Sequence, residues 1–383
     1  RVIAAMLRVA LLPVLLLLLW VLSFFSVKAR HLLHKLILLL LGFGHMLFST
    51  DRRWNKKNLP DPDELAQVGM ARSVRVIFVR HGESLWNEVF NKGFGPSFPV
   101  RLVKALVREI TLLPTPDSVF FDSPLSAEGL DQAKALSRFL SEYNSSTGDS
   151  SVSNDVEAMR GGMRATVVSS NLRRALETVA VGLWDRVRRG DKIRVLSNLQ
   201  EMTRNVDGIV LAERHEIPAL DAVSAELGKE FNAEAMVDVS ESTGNKAIRS
   251  KGLDRMMSFA EWATTHNDRP IVVGGHSLYF KSFFDTFLPR GTDFVGRRRK
   301  MVNGGAVAFT LQSGVFKGQP LYAPLRFLTG PTPHLTTTDP NSYASMTSLP
   351  TSLSQLSHRP GVDQDCLRWI LLTSTQLMLS KKK

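Results

Sequence analysis

Arg75-Val76-Ile77-Phe78-Val79-Arg80-His81-Gly82-Glu83 is where the architecture becomes legible. Four apolar residues in a row, three of them β-branched, read as a strand buried on both faces. The run then breaks into charge and glycine. The same pattern recurs downstream. Strands are expected at 165–169, 193–196, 271–274 and 307–311. Helices are expected at 127–140, where Leu130, Ala133, Leu136 and Leu140 share one face, at 172–187 and at 252–265. Residues 141–162, rich in Ser, Gly and Asn, read as a flexible loop. Strands alternating with helices imply an α/β domain: a three-layer sandwich, with a mostly parallel central sheet and helices on both faces.

Composition narrows the class. Apolar types make up 44% of the 383 residues and charged types 22%, a globular balance that excludes a disordered or mostly transmembrane chain. The single cysteine, Cys366, excludes an internal disulfide framework. The net charge of +12 is spread out, with +5 in residues 1–71, +2 in 330–383 and +5 between. The middle is only mildly basic, so no nucleic-acid partner is called for, whereas a phosphorylated or anionic-lipid partner is allowed.

The N-terminus departs from this balance. No acidic residue precedes Asp51. Residues 9–27 form an apolar run that spans roughly 28 Å as a helix, about one hydrocarbon core. A second run, 36–48, is too short to cross and suits an interfacial or re-entrant segment. Lys28, Arg30, Lys35, Arg52, Arg53, Lys56 and Lys57 outnumber the cations before the first run, which places the C-terminal side in the cytosol. Two other readings stay open. The run could be a secretory signal cleaved after Ala29, which would send the chain to the secretory pathway or an organelle, or it could be a buried helix. The expected layout is a membrane anchor or signal region at 1–50, a polar linker at 51–71, a catalytic domain at 72–329 and a Ser/Thr/Pro-rich tail at 330–383. Within the tail, residues 366–379 form a short apolar segment.

The strand ends carry the chemistry. The first expected strand runs into Arg80-His81-Gly82-Glu83, the second into Ser169-Ser170 with Arg174 just beyond, and another into Gly275-His276-Ser277. In parallel sheets, ligands bind beyond the carboxyl ends of the strands. Two arginines and two histidines gathered there suit a tetrahedral dianion, because the guanidinium fork matches phosphate oxygens. Gly82 and Gly275 would let the backbone approach the ligand closely.

These segments resemble the signatures of the histidine phosphatase superfamily, in its phosphoglycerate-mutase-like branch. Arg80-His81-Gly82-Glu83-Ser84-Leu85-Trp86-Asn87 is similar to the first motif. Asp122-Ser123-Pro124-Leu125-Ser126 with Gly129, Gln132 and Ala133 resembles the second, and Ser170 to Thr178 the third. Leu199-Gln200-Glu201 resembles the L-x-E turn, and Gly275-His276-Ser277 the second-histidine motif. All occur in the family's order between about residues 74 and 312.

The resemblance implies a phosphomonoester hydrolase. His81 would be the nucleophile and form a phosphohistidine. Arg80, Asn87, Arg174 and His276 would bind the phosphate, with His276 also counted as catalytic, and Glu201 would be the general acid and base. Arg173 reads as a surface helix charge and Glu83 as structural support. No metal or other cofactor is implied. The expected partners are a phosphorylated small molecule or phosphoprotein as substrate, and a membrane through the N-terminal segment. Residues 88–121 depart from the mutases' short substrate-gripping loop, and the segment after Glu201 departs from their E-R-x-Y-G. Both departures favour hydrolysis over phosphoryl reorientation. A membrane-tethered scaffold on a non-catalytic phosphatase fold, or a mutase, remains the alternative.

Overall fold

The computed structural model describes residues 2–54, 59, 72–144, 150–265, 269–288, 294–316 and 319–328. Seven strands form one sheet in it. In chain order they are β1 (Arg72–Arg80), β2 (Thr166–Ser170), β3 (Ile193–Leu196), β4 (Val237–Asp238), β5 (Ile271–Gly275), β6 (Ala306–Phe316) and β7 (Gln319–Leu328). The spatial order is β4-β3-β2-β5-β1-β6-β7. The first five are mutually parallel, and β6 and β7 add an antiparallel edge. The longer helices are α1 (Val2–Ser23), α2 (Val27–Phe48), α3 (Leu85–Phe90), α4 (Phe98–Leu112), α5 (Ala127–Glu142), α6 (Ser150–Arg160), α7 (Arg173–Gly182), α8 (Asp221–Leu227), α9 (Gly252–Thr265) and α10 (Ser277–Phe287).

Strand alternation explains the three layers. Ile77 and Val79 of β1 and Val272 of β5 enter one core, with Leu136 of α5 and Leu176 and Val179 of α7. Val76 and Phe78 of β1 and Ile271 and Val273 of β5 enter the other, with Phe259 of α9 and Phe280 and Phe283 of α10. Successive strand residues point to opposite faces, so an unbroken apolar run requires helices on both. Phe78 centres the second core. Its ring stacks on Phe280 at 4.1 Å and meets Phe283 and Phe309 edge-on at 5.2 and 4.9 Å.

Several elements differ from expectation. Residues 150–160 of the expected loop are helical. Val152, Val156 and Met159 follow i, i+4, i+7, a period hidden by the surrounding serines, and they pack on the first core. Asp155 also receives both arms of Arg75 from β1, at 2.8 and 2.5 Å. Strands β4 and β7 were not foreseen. The tail at 330–383 and residues 60–71 of the linker lie outside the described residues.

The apolar N-terminus is not one span over 9–27. Helix α1 stops at Ser23, and Ser26 caps α2 through its hydroxyl, which accepts from the Ala29 N–H. Among the described residues, the helix long and apolar enough to cross a membrane is Val27–Phe48. One face of α2 lies against the domain. Lys35, Leu38, Gly42 and His45 are buried there, and Leu38 packs with Phe121, Ile209 and Leu211. Lys35 Nζ donates to the carbonyls of Leu112 and Asp117. The His34 ring bonds the Leu211 carbonyl at 2.9 Å.

Beyond α2, Asp51 is buried rather than part of a solvated linker. It binds Lys246 Nζ at 2.6 Å and Arg255 Nη2 at 2.8 Å. A lone buried charge is costly, and this carboxylate sits between two cations.

Candidate active site

Register brings the motifs together. β5 lies between β1 and β2, with Arg80 opposite Gly275 and Ser169 opposite Gly274. The His81 N–H donates to the Gly275 carbonyl at 3.0 Å. Three segments far apart in sequence therefore end side by side at the carboxyl edge of the sheet.

Gly82 serves this packing. A side chain there would strike the Gly129 carbonyl at 2.4 Å, and one on Gly129 would strike the Glu83 carbonyl at 1.9 Å. The space beside Gly275 is filled by the Phe280 ring, at 2.7 Å from an added Cβ. Protein neighbours alone thus leave no room for a side chain at either glycine.

His81 is buried, and its Nδ1 lies 2.6 Å from the Gly82 carbonyl. A carbonyl can only accept, so Nδ1 carries the proton and Nε2 keeps its lone pair. Burial, reinforced by the charges of Arg174 and Arg80, holds the His81 pKa well below the usual imidazole range. His276 stands with its ring centroid 5.1 Å away. Its pKa is also held well down, by burial first and then by Arg174. Its Nε2 meets Ser170 Oγ at 2.8 Å. That hydroxyl also accepts from the Leu172 N–H. The other ring nitrogen, Nδ1, is buried with no partner among the described residues.

Two guanidinium groups complete the cluster. Arg80 donates through Nη1 to the Met301 carbonyl, and its buried Nε has no partner among the described residues. Burial and the neighbouring Arg174 push its pKa down to about 10, while the Glu201 carboxylate acts the other way. Arg174, in the first turn of α7, donates from Nη1 to the Asp207 carbonyl at 2.8 Å, and its Nη2 lies 3.4 Å from Asp207 Oδ2. Burial raises the Asp207 pKa. Its Oδ1 is buried without a partner among the described residues. Arg80 Nε and His276 Nδ1 are thus buried polar atoms of this cluster with no partner among the described residues.

The remaining expected residues sit differently. Glu201 is buried beside the N-terminus of α10, where Oε1 accepts from the N–H groups of Met202 and Tyr279 at 2.9 Å. Its Oε2 accepts from Leu278 at 3.4 Å. A carboxylate there complements the positive end of the helix dipole. Asn87, in the first turn of α3, accepts through Oδ1 from Asn91 at 2.8 Å. Glu83 supports the site edge through Ser126 and Lys92.

Arg173 is buried, not a surface charge. It pairs with Asp117 at 2.5 Å and donates from Nε to the Asp122 carbonyl. Its backbone N–H donates to Asp122 Oδ1. Two features were missed from sequence. One is the Asp207 hold on Arg174. The other is the Asp51–Lys246–Arg255 network, in which Lys246 also donates to the carbonyls of Glu201 and Thr203 at 2.6 and 2.9 Å. No local motif marks either.

No family profile and no curated protein matches the chain. Among solved structures it is similar to a mycobacterial glucosyl-3-phosphoglycerate phosphatase, at 17% identity and TM-score 0.33, over 66% of this chain and 97% of that one. It is similar to a phosphoserine phosphatase from Entamoeba histolytica, at 16% identity and TM-score 0.32, over 68% and 99%. A phosphoglycerate mutase from Bacillus anthracis matches at 15% identity and TM-score 0.32, over 66% and 92%. Two of these solved structures are thus phosphatases and one is a phosphoglycerate mutase.

Proposed function

We propose that this chain hydrolyses phosphomonoesters through a phosphohistidine on His81, and that its N-terminal helices hold it at a membrane with the catalytic domain on the cytosolic side. The observation that carries the catalytic reading is the tautomer of His81: Nδ1–H is committed to the Gly82 carbonyl, so a neutral Nε2 is free. In the first step Nε2 attacks phosphorus, the ester P–O bond breaks, and the leaving oxygen takes a proton from a carboxylic acid. In the second step water attacks phosphorus, the P–N bond breaks, and the water's proton passes to the resulting carboxylate. Arg80, Arg174 and His276 hold the non-bridging oxygens, where charge must be balanced in the transition state. Asn87 would join them by turning from Asn91. The substrate is a phosphorylated small molecule or phosphoprotein.

Two carboxyls compete for the proton-transfer role. Glu201 is the residue assigned by the motif resemblance. Asp207 has a specific observation in its favour: an unpartnered, buried oxygen beside Arg174, on a group whose pKa burial raises. His81→Ala should abolish turnover of an aryl phosphate. In the wild type, rapid quench should trap an acid-labile, base-stable phosphoenzyme on His81. Label on serine or aspartate instead would refute the mechanism.

A further inference from the structure

Helix α2 is inside out for a helix lying on a water-soluble domain. From His34 onward its polar residues His34, Lys35 and His45 turn toward protein carbonyls, while Ile37, Leu40, Phe43, Leu47 and Phe48 are exposed; Lys28 and Arg30, in its first turn, are exposed cations. Helix α4 lies next to it, tied on by the bond from Lys35 to the Leu112 carbonyl. It carries a second outward apolar stripe. Val100, Val103, Leu106, Val107 and Ile110 are 46–65% exposed. At 3.6 residues per turn they fill an arc of about 120°. Its opposite face is anchored by Ala105 against Val89 and Val119. The exposed charges on α4, Lys104 and Arg108, are both cations and lie along one border of the stripe.

We propose that α4 is an interfacial membrane helix that seats the domain on a bilayer bearing anionic headgroups, in continuity with the outer face of α2. Three observations select lipid over other occupants. The outward face of α2 offers leucine and phenylalanine where a domain surface would offer charge. The exposed charges beside the α4 stripe, Lys104 and Arg108, are cations, while the Glu109 carboxylate is taken up by Ser118 Oγ and the Val119 N–H, and this is the chemistry that meets acyl chains on one side and phosphates on the other. The two helices are tied together where Lys35 of α2 binds the last carbonyl of α4. Helix α4 also belongs to the 88–121 insertion and packs on α3, which starts four residues after His81. The site therefore lies close to the docked face.

This inference rests on the membrane half of the proposed function. Full-length protein with Cys366→Ser and Val107→Cys, labelled with an environment-sensitive fluorophore, is mixed with phosphatidylcholine vesicles with and without phosphatidylserine, some carrying brominated acyl chains. A control label replaces Lys192, exposed at the opposite end of the sheet just before β3. The expected result is acyl-chain quenching at Val107 and none at Lys192, with the Val107 quenching reduced severalfold by Lys104→Glu with Arg108→Glu.

Protein that floats with vesicles but shows no more quenching at Val107 than at Lys192 overturns the role of α4 and leaves the membrane reading standing. Protein that does not float overturns both. Concentration-dependent blue-shift without bromine quenching assigns the face to a second copy of the chain and also overturns the proposal. The same shift abolished by removing residues 360–383 assigns it to the chain's own tail, which overturns the proposal as well.

Discussion

Asp51→Asn tests whether the segment after α2 belongs to the α/β domain. The substitution keeps the shape of Asp51 and removes the charge that balances Lys246 and Arg255. Both side chains of the Asp51–Lys246 pair are 1% exposed. Removing one partner of such a pair costs about 3–5 kcal/mol, because the other charge stays buried without compensation. For a domain of this size that corresponds to a fall in Tm of roughly 6–20 °C.

The deficit should depend on pH. Burial already lowers the Lys246 pKa from 10.5, and losing Asp51 lowers it further. Between the lowered folded value and 10.5 the unfolded chain binds more protons, so stability rises with pH there. The deficit of Asp51→Asn should therefore shrink as pH climbs from the variant's folded Lys246 pKa to the wild type's, and level off above it. Adding Lys246→Met should recover part of the loss at neutral pH, as a double-mutant cycle would show. Turnover should fall along with stability, because Lys246 also holds the carbonyls of Glu201 and Thr203. A truncation from about residue 60 removes Asp51 and the docked face of α2 and should be destabilised at least as much. A cost below about 1 kcal/mol for Asp51→Asn, with no change in slope against pH, would refute the reasoning.

Glu201→Gln and Asp207→Asn should separate on leaving group. The proton donor should lose roughly 10²–10⁴-fold on an alkyl phosphate and far less on a nitrophenyl phosphate, while equal losses on both esters assign the residue to site organisation. Glu177 is buried with its pKa pushed up to about 7, chiefly by desolvation. The folded state then binds the extra proton, so stability is full below about pH 4.5 and falls through pH 7. Glu177→Gln should remove that slope and raise stability at pH 8 by up to about 3 kcal/mol in chemical denaturation, since Gln can still accept from the Leu125 N–H. Phe78→Ala should cost about 3–5 kcal/mol in the same assay, because the surrounding rings cannot collapse into the space it leaves.

The elements that could be read from sequence are those whose signal is local. Strand β3 and helix α9 fall at their expected limits, and β1, β2 and β5 within a few residues, because apolar runs and periods depend on neighbours a few positions apart. His81, Arg80, Arg174 and His276 could be placed together because each follows a strand, and a parallel sheet aligns strand ends. Local signals failed where composition hid period, as in α6, and where a strand was too short or too far along to mark itself, as in β4 and β7.

Charge pairing belongs to the tertiary structure. Asp207 lies 33 positions from Arg174, Arg173 lies 56 from Asp117, and Lys246 lies 195 from Asp51. Whether a charged residue is solvated or buried depends on a partner arriving from elsewhere in the chain. Desolvation and Coulomb attraction both act through space, and no residue's own neighbourhood in sequence records them. The apolar N-terminus shows the same division. Its hydrophobicity is written in the sequence, but only the fold decides that α2 turns His34, Lys35 and His45 onto the domain and leaves leucine and phenylalanine facing outward.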